Sequence, residues 1–80
     1  MSYFVYILQS DKDSRYYIGS TQYVQQRLEY HNSGRQRSTK YRVPFRIVYT
    51  EELPGKETAL KREKQIKSYK GGEAFKRLFN

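Results

Sequence analysis

Nine of the 80 residues are tyrosine, against seventeen Leu, Ile, Val and Phe together, and this imbalance decides what the chain can fold into. Those four apolar types make up about 21% of the sequence, barely above the ~20% below which highly charged chains tend to stay disordered. Each tyrosine adds a large ring that can be buried, provided its hydroxyl finds a partner. The chain is therefore expected to fold, with hydroxyl-bearing rings making up for missing aliphatic side chains. At this size roughly 60% of the unfolded surface is buried, enough for one small domain over residues 1–80. A large enclosed cavity or a two-domain cleft is excluded, so any active surface must be shallow and open.

Charge narrows the partners. Sixteen Lys and Arg against eight Asp and Glu leave a formal +8. Polyanions are the natural ligands of such an excess, nucleic acid ahead of an anionic membrane. No apolar run approaches the ~20 residues of a spanning helix, and no charged-then-apolar export segment opens the chain, so a cytoplasmic location without membrane binding is expected. Cysteine is absent and histidine occurs once, which excludes disulfides, thiolate zinc sites, a thiol nucleophile and any His-paired metal site. No small-molecule cofactor is expected either.

The order of elements follows from patterning. Tyr3 to Gln9 (YFVYILQ) is a continuous aromatic and β-branched run, the mark of a strand covered on both faces. Ser10 to Arg15 reads as a turn and Tyr16 to Ser20 (YYIGS) as the second strand of a hairpin. A four-residue loop over Ser10–Asp13 would pair Gln9 with Ser14 and set Tyr6 opposite Tyr17. Gly19 in the second strand signals a bulge or a close backbone approach. Thr21 is placed to cap a helix over Gln22–Asn32, stopped by Ser33-Gly34, whose inward stripe would hold Val24, Arg27, Leu28 and His31. A basic connector (Arg35–Arg42), a third strand (Phe45–Glu51), a helix (Glu57–Tyr69) and a short final helix (Glu73–Phe79) complete the chain. The layout is α+β: a hairpin plus a third strand, with helices packed on the sheet.

Three features of that layout carry chemistry or a structural substitute for it. Arg27 and His31 stand one turn apart on a stripe that should be apolar; an arginine stem along the core edge and a histidine bonded to backbone is the alternative. Glu63 shares a stripe with Ala59, Ile66 and Lys70, where a carboxylate must be paired or bound to a metal; its alternative is an ion pair with Arg62, Lys67 or a strand arginine. Tyr6 and Tyr17 lie on adjacent strands, and either can be a core tyrosine.

Taken in order, Val5-Tyr6-Ile7, Tyr17-Ile18-Gly19, Arg27, His31-Asn32 and Glu63 resemble the GIY-YIG nuclease domain, from Phe4 to about Tyr69. The first half-motif carries Val5 where the family name has glycine; the second, YIG, is intact. The small stand-alone members, related to the catalytic domain of the excinuclease C repair subunit, are the nearest in form. The resemblance implies a three-stranded antiparallel sheet flanked by helices, and hydrolysis of nucleic-acid phosphodiesters with one divalent cation, Mg²⁺ or Mn²⁺. By position, Glu63 would ligate the metal and Arg27 would bind the scissile phosphate. Tyr6 and Tyr17 would position or deprotonate the water, and His31 would assist with phosphate or proton transfer. Ser20 follows Gly19 where several relatives have lysine, and the asparagine that some relatives carry after the glutamate has no clear counterpart.

These roles suit the residue types. A lone carboxylate suits Mg²⁺, which keeps several waters and takes further ligands from phosphate. Arginine gives phosphate oxygens a fixed fork that lysine does not. Tyrosine, with a reference pKa of ~10, acts as a base only where cations stabilise the phenolate. All five residues are expected on one shallow surface, with a tyrosine hydroxyl near Arg27; Glu63 and Arg27 on opposite sides of the sheet would sink the active-site reading outright. Around it, Arg35, Arg37, Lys40, Arg42 and Arg46 are expected to track phosphates, as are Lys61, Lys64, Lys67 and Lys70. Phosphate contacts position a protein without reading sequence, so structure-selective binding to DNA branches, ends or damage, in repair or recombination, is the expected use. The rival is a nucleic-acid-binding adaptor of the same fold with little or no hydrolysis.

Overall fold

Strand β1 (Tyr3–Ser10) runs down the middle of the sheet, and this explains its unbroken apolar run. Val5, Tyr6, Ile7 and Leu8 are all at most 1% exposed, because β1 is covered on both faces and flanked on both edges. The computed structural model describes residues 2–79. Its order is β1, β2 (Tyr16–Thr21), α1 (Val24–Asn32), a single 3-10 turn (Lys40–Arg42), β3 (Phe45–Leu53), α2 (Lys56–Ser68) and α3 (Glu73–Arg77). The sheet has three antiparallel strands in the order β2-β1-β3, so the expected α+β architecture is what the chain adopts.

Alternation along β1 divides the molecule. Val5 and Ile7 point to one side with Ile18 of β2, Ala59 and Ile66 of α2 and Phe75 of α3. Tyr6 and Leu8 point to the other with Tyr17, Val24, Leu28, Ile47 and Phe45. Helix α1 thus covers one face while α2 and α3 cover the opposite one. No helix among the described residues is long and apolar enough to cross a membrane.

Boundaries shift from the sequence reading by a residue or two, each for a local reason. The hairpin register is the largest change. Gln9 pairs with Tyr16, Leu8 with Tyr17 and Tyr6 with Gly19, not Gln9 with Ser14 and Tyr6 with Tyr17. The cause is Ser10, whose hydroxyl accepts from the backbone N–H groups of Lys12 (3.0 Å) and Asp13 (3.2 Å), so the loop runs two residues longer. Ser14 then turns the chain at φ 62°, and the Ser10 N–H closes onto the Arg15 carbonyl at 2.9 Å. A slip of two residues preserves faces, so Tyr6 and Tyr17 still share a side. Helix α1 starts at Val24 rather than Gln22, because the Thr21 hydroxyl accepts from the N–H of Tyr23 (3.1 Å) before the helix begins. Strand β3 continues to Leu53, since Tyr3 and Phe4 of the central strand supply partners for Leu53 and Glu52.

Candidate active site

A missing side chain organises the site. Gly19 faces Tyr6 across the hairpin, and a Cβ there would lie 2.5 Å from the Tyr6 hydroxyl oxygen and 2.7 Å from its ring carbon Cζ. The tyrosine ring therefore lies over bare backbone of the edge strand, a close approach that only glycine allows. This is the close-approach reading of Gly19, not a bulge; the register irregularity in the sheet lies instead between β1 and β3, at Ile7/Leu8.

Around Tyr6 gather the residues of the α1 face. His31, with no exposed surface, brings Nε2 to 3.4 Å from the Tyr6 hydroxyl and Nδ1 to 3.2 Å from Oγ1 of Thr39. The Thr39 hydroxyl donates to the Gln36 carbonyl (3.5 Å), so its oxygen accepts from His31 Nδ1–H. The bonding partners thus assign the tautomer: Nδ1 carries the proton and Nε2 accepts from Tyr6. Burial, reinforced by the nearby Arg27 charge, pushes the His31 pKa below its ordinary value and keeps the ring neutral. The Tyr17 ring packs on His31 at 4.5 Å between centroids, and Tyr6 and Tyr17 stack at 6.4 Å. Arg27 lies 5.0 Å over the Tyr30 ring and close enough to the Tyr6 hydroxyl to favour its ionised form. Desolvation outweighs that help, and the Tyr6 pKa is pushed up to about 12. Tyr6 is therefore a hydrogen-bond donor at neutral pH.

Glu63 comes from the other side. It projects from α2, on the face opposite α1, so it and Arg27 do stand on helices flanking opposite faces of the sheet. The expected single surface is not what the fold gives, and a shared site requires the two side chains to meet around the edge strand. The Ser20 hydroxyl donates to Glu63 Oε1 at 2.7 Å, and Ser20 directly follows Gly19. Because β2 is an edge strand with no neighbour beyond it, nothing in the sheet separates the two sides there. The Tyr6 hydroxyl feels both: the Arg27 charge lowers its pKa and the Glu63 charge raises it. The other Glu63 oxygen accepts from Lys67 Nζ at 2.6 Å, with Glu63 only 16% exposed and Lys67 53%.

Exposure sorts the five. Tyr6 (1%) and His31 (0%) are enclosed, whereas Tyr17, Arg27 and Glu63 are half-buried and reachable. Of the basic track, Arg35, Arg37, Lys40, Lys61, Lys64 and Lys70 are exposed. Arg46 is exposed too, and both it and Arg42 are engaged by the hairpin turn. Arg42 pairs with Asp13 at 3.3 Å, and Arg46 with Asp11 and the Gln9 side chain. Two contributors escaped sequence reasoning. Thr39 lay in a polar connector and gave no sign of being buried; Ser20 stood out only as a departure from lysine. Asn32, next to His31, bridges the end of α1 to β3: its side chain donates to the Phe45 carbonyl (3.0 Å) and accepts from the Phe45 N–H (2.7 Å). A divalent cation would have to be held by Glu63 with Ser20 beside it, since no cluster of three His, Cys, Asp or Glu residues exists among the described residues. One carboxylate with a neighbouring hydroxyl fits a hard cation that keeps its waters.

Comparison with known proteins follows the same outline. A family model described as the GIY-YIG catalytic domain matches residues 2–75. The UPF0213 protein BH0048 of Halalkalibacterium halodurans is 41% identical over 68 residues, covering 84% of this chain and 71% of the relative. A UPF0213 protein of Staphylococcus aureus is 44% identical over 69 residues, covering 85% and 83%. The solution NMR structure of the UPF0213 protein BH0048 from Bacillus halodurans superposes with a TM-score of 0.51 at 36% identity, over 92% of this chain and 90% of that one.

Proposed function

The chain belongs to the GIY-YIG catalytic domain family, which implies nuclease-type activity on nucleic acid, and from that premise we propose that it is a divalent-cation-dependent endonuclease acting on DNA. Its expected substrates are branches, ends or damage, in cytoplasmic DNA repair or recombination. One observation supports the reading above all others: the Gly19-Ser20 edge of β2 is where Arg27, Tyr17 and Glu63 approach from two helices and a strand.

The division of labour follows exposure. Arg27, half-buried and braced on Tyr30, offers its guanidinium fork to a phosphate oxygen. Tyr17 is the reachable hydroxyl and orients the attacking water. Tyr6 and His31, enclosed beneath, act through others: the neutral His31 accepts from Tyr6, Tyr6 meets Arg27, and the Tyr17 ring packs on both enclosed rings. Glu63, with Ser20 beside it, would hold the cation, which would supply positive charge to the phosphoryl oxygens. Lys67 adds a fixed charge beside the same carboxylate.

Lys67 also supports the second reading. A carboxylate already neutralised by its own helix, on the face opposite Arg27, is what a binding adaptor of this fold would carry. Glu63→Gln separates the two. On a panel of linear, flapped and four-way DNA with Mg²⁺ or Mn²⁺, the nuclease reading expects cleavage to fall by orders of magnitude, each ~1.4 kcal/mol lost being ten-fold in rate. DNA binding should hold or tighten, because a negative charge facing phosphates is gone. Wild-type protein that cuts none of these substrates, with a Glu63→Gln variant that only melts earlier, decides for the adaptor.

A further inference from the structure

A cavity of about 560 Å³ opens beside the active-site edge, between the start of β2 and the turn joining α2 to α3. Its size falls in the ~300–1,000 Å³ range of small-ligand sites. Arg15, Lys67 and Lys70 line it as cations, Ile18 and Phe75 as apolar floor, and among the described residues no carboxylate lines it. Arg42 closes one end, held by Asp13 and donating to the Tyr16 carbonyl at 3.2 Å. Tyr16, 43% exposed, stands in the wall with Phe79 stacked against it at 5.8 Å and Phe75 edge-on at 5.0 Å.

The backbone around this cavity is held in an unusual form. Ser14 (φ 62°) and Lys70 (φ 50°) are the non-glycine residues with left-handed backbone among those described, and both line it, with Gly71 (φ 76°) beside Lys70. Side chains rarely adopt that conformation, and such strain is kept where the surroundings over-determine it. Lys67 ties the cavity to the active site, since its ammonium lies 2.6 Å from Glu63.

Cations around a braced aromatic ring suit a ligand with both phosphate and a flat apolar face. A free phosphate would leave Tyr16 and Phe75 unused, and a duplex keeps its base faces stacked inside. We propose that this cleft receives an unpaired nucleotide of a DNA strand, its base against Tyr16 and its phosphates on Arg15, Lys67 and Lys70. The proposal rests on the nuclease reading for the strand's identity and names the part of the substrate that lies next to the scissile bond.

The chain has no tryptophan, so Tyr16→Trp installs a single indole at the proposed stacking position. With divalent ions chelated, an oligothymidylate should quench its emission. A blunt duplex, or an abasic strand of the same length, should quench it weakly. Tyr16→Leu, which keeps apolar packing on Phe75 and Phe79, should weaken oligothymidylate binding about ten-fold and leave blunt-duplex binding unchanged. Equal quenching by the abasic strand or the duplex overturns the proposal, and so does a Tyr16→Leu variant that binds oligothymidylate like wild type. Should Tyr16→Leu fail to fold, the indole measurement decides alone. Because this assay contains no cleavage, a negative result leaves the Glu63→Gln test standing, and quenching by a protein that cuts nothing keeps the cleft while rejecting the nuclease.

Discussion

Under α2 the sheet meets Ala59 and Ile66, both fully buried, and Phe75 of α3; under α1 it meets a histidine. The single fully buried side chain of α1 is His31, and that helix is fastened by hydrogen bonds: His31 to Tyr6 and Thr39, Asn32 to the backbone of Phe45. Aromatic rings gather on both faces but with different ends. On the α2 side Tyr16, Phe75 and Phe79 pack ring on ring, while on the α1 side the Tyr6 hydroxyl meets His31 Nε2 and the Tyr17 ring packs on both. Slightly more of the aliphatic side chains, seven Leu, Ile and Val against five, pack on the α2 face. The other is free for polar groups whose positions are fixed by mutual bonding, and this is the arrangement a site needs.

If stability resides mainly under α2, the largest effect on folding should come from there. Ile66→Ala removes a fully buried side chain from the tighter cluster and should cost about 2–5 kcal/mol of unfolding free energy. Leu28→Ala, at a half-buried position on α1, should cost less than half as much. Urea unfolding of the two variants checks this, and equal losses would break the contrast between the faces.

Gly19 tests the seam between them. Gly19→Ala puts a methyl group 2.5 Å from the Tyr6 hydroxyl, so the buried ring must shift, at about 1–3 kcal/mol. Adding Tyr6→Phe removes the nearest atom of the clash. The double variant should then be less destabilised than the two single changes summed, with a coupling of about 0.5–1 kcal/mol. Strict additivity would mean that the hydroxyl adds nothing to the clash and that the ring carbon Cζ, 2.7 Å away and kept in phenylalanine, carries it.

What the sequence revealed tracks how local each cause is. The central strand was legible because burial on both faces erases alternation, leaving YFVYILQ as an unbroken run. Glu63 was visible as an acid on a stripe with Ala59 and Ile66, both buried. Register was not legible, because it hangs on the Ser10 hydroxyl folding back on its own turn. Nor was the placement of Arg27 and Glu63 on opposite faces, which depends on how α1 and α2 cross over the sheet. Arg42 and Arg46 read as free cations because Asp11 and Asp13 are distant in sequence, and only the folded hairpin turn brings them together. Thr39 carried no signal, since a threonine in a polar connector looks solvated until a histidine ring needs its oxygen.

The smallest effect is the one most particular to the α1 face. His31 is held neutral in the fold, with its pKa lowered first by burial and then by Arg27, while in the unfolded chain it titrates near ~6.5. As pH falls through that value the unfolded state takes up a proton that the folded state resists, so stability declines with acid; above it the contribution of His31 is constant. Melting from pH 7.5 to 5.0 should therefore show wild-type stability dropping below about pH 6.5, and His31→Gln should flatten that slope. Asp13, whose pKa is lowered chiefly by the backbone N–H of Arg15, adds its own acid limb only below the ordinary carboxylate range, outside this window. Ile66→Ala acts on the face without a histidine, so it should lower the whole curve and leave its slope unchanged. A wild-type curve flat from pH 7.5 to 5.0 would mean that the folded ring charges as readily as the unfolded one. The neutral tautomer, and with it the bond from Tyr6 to His31 that orders the site, would then have to be abandoned.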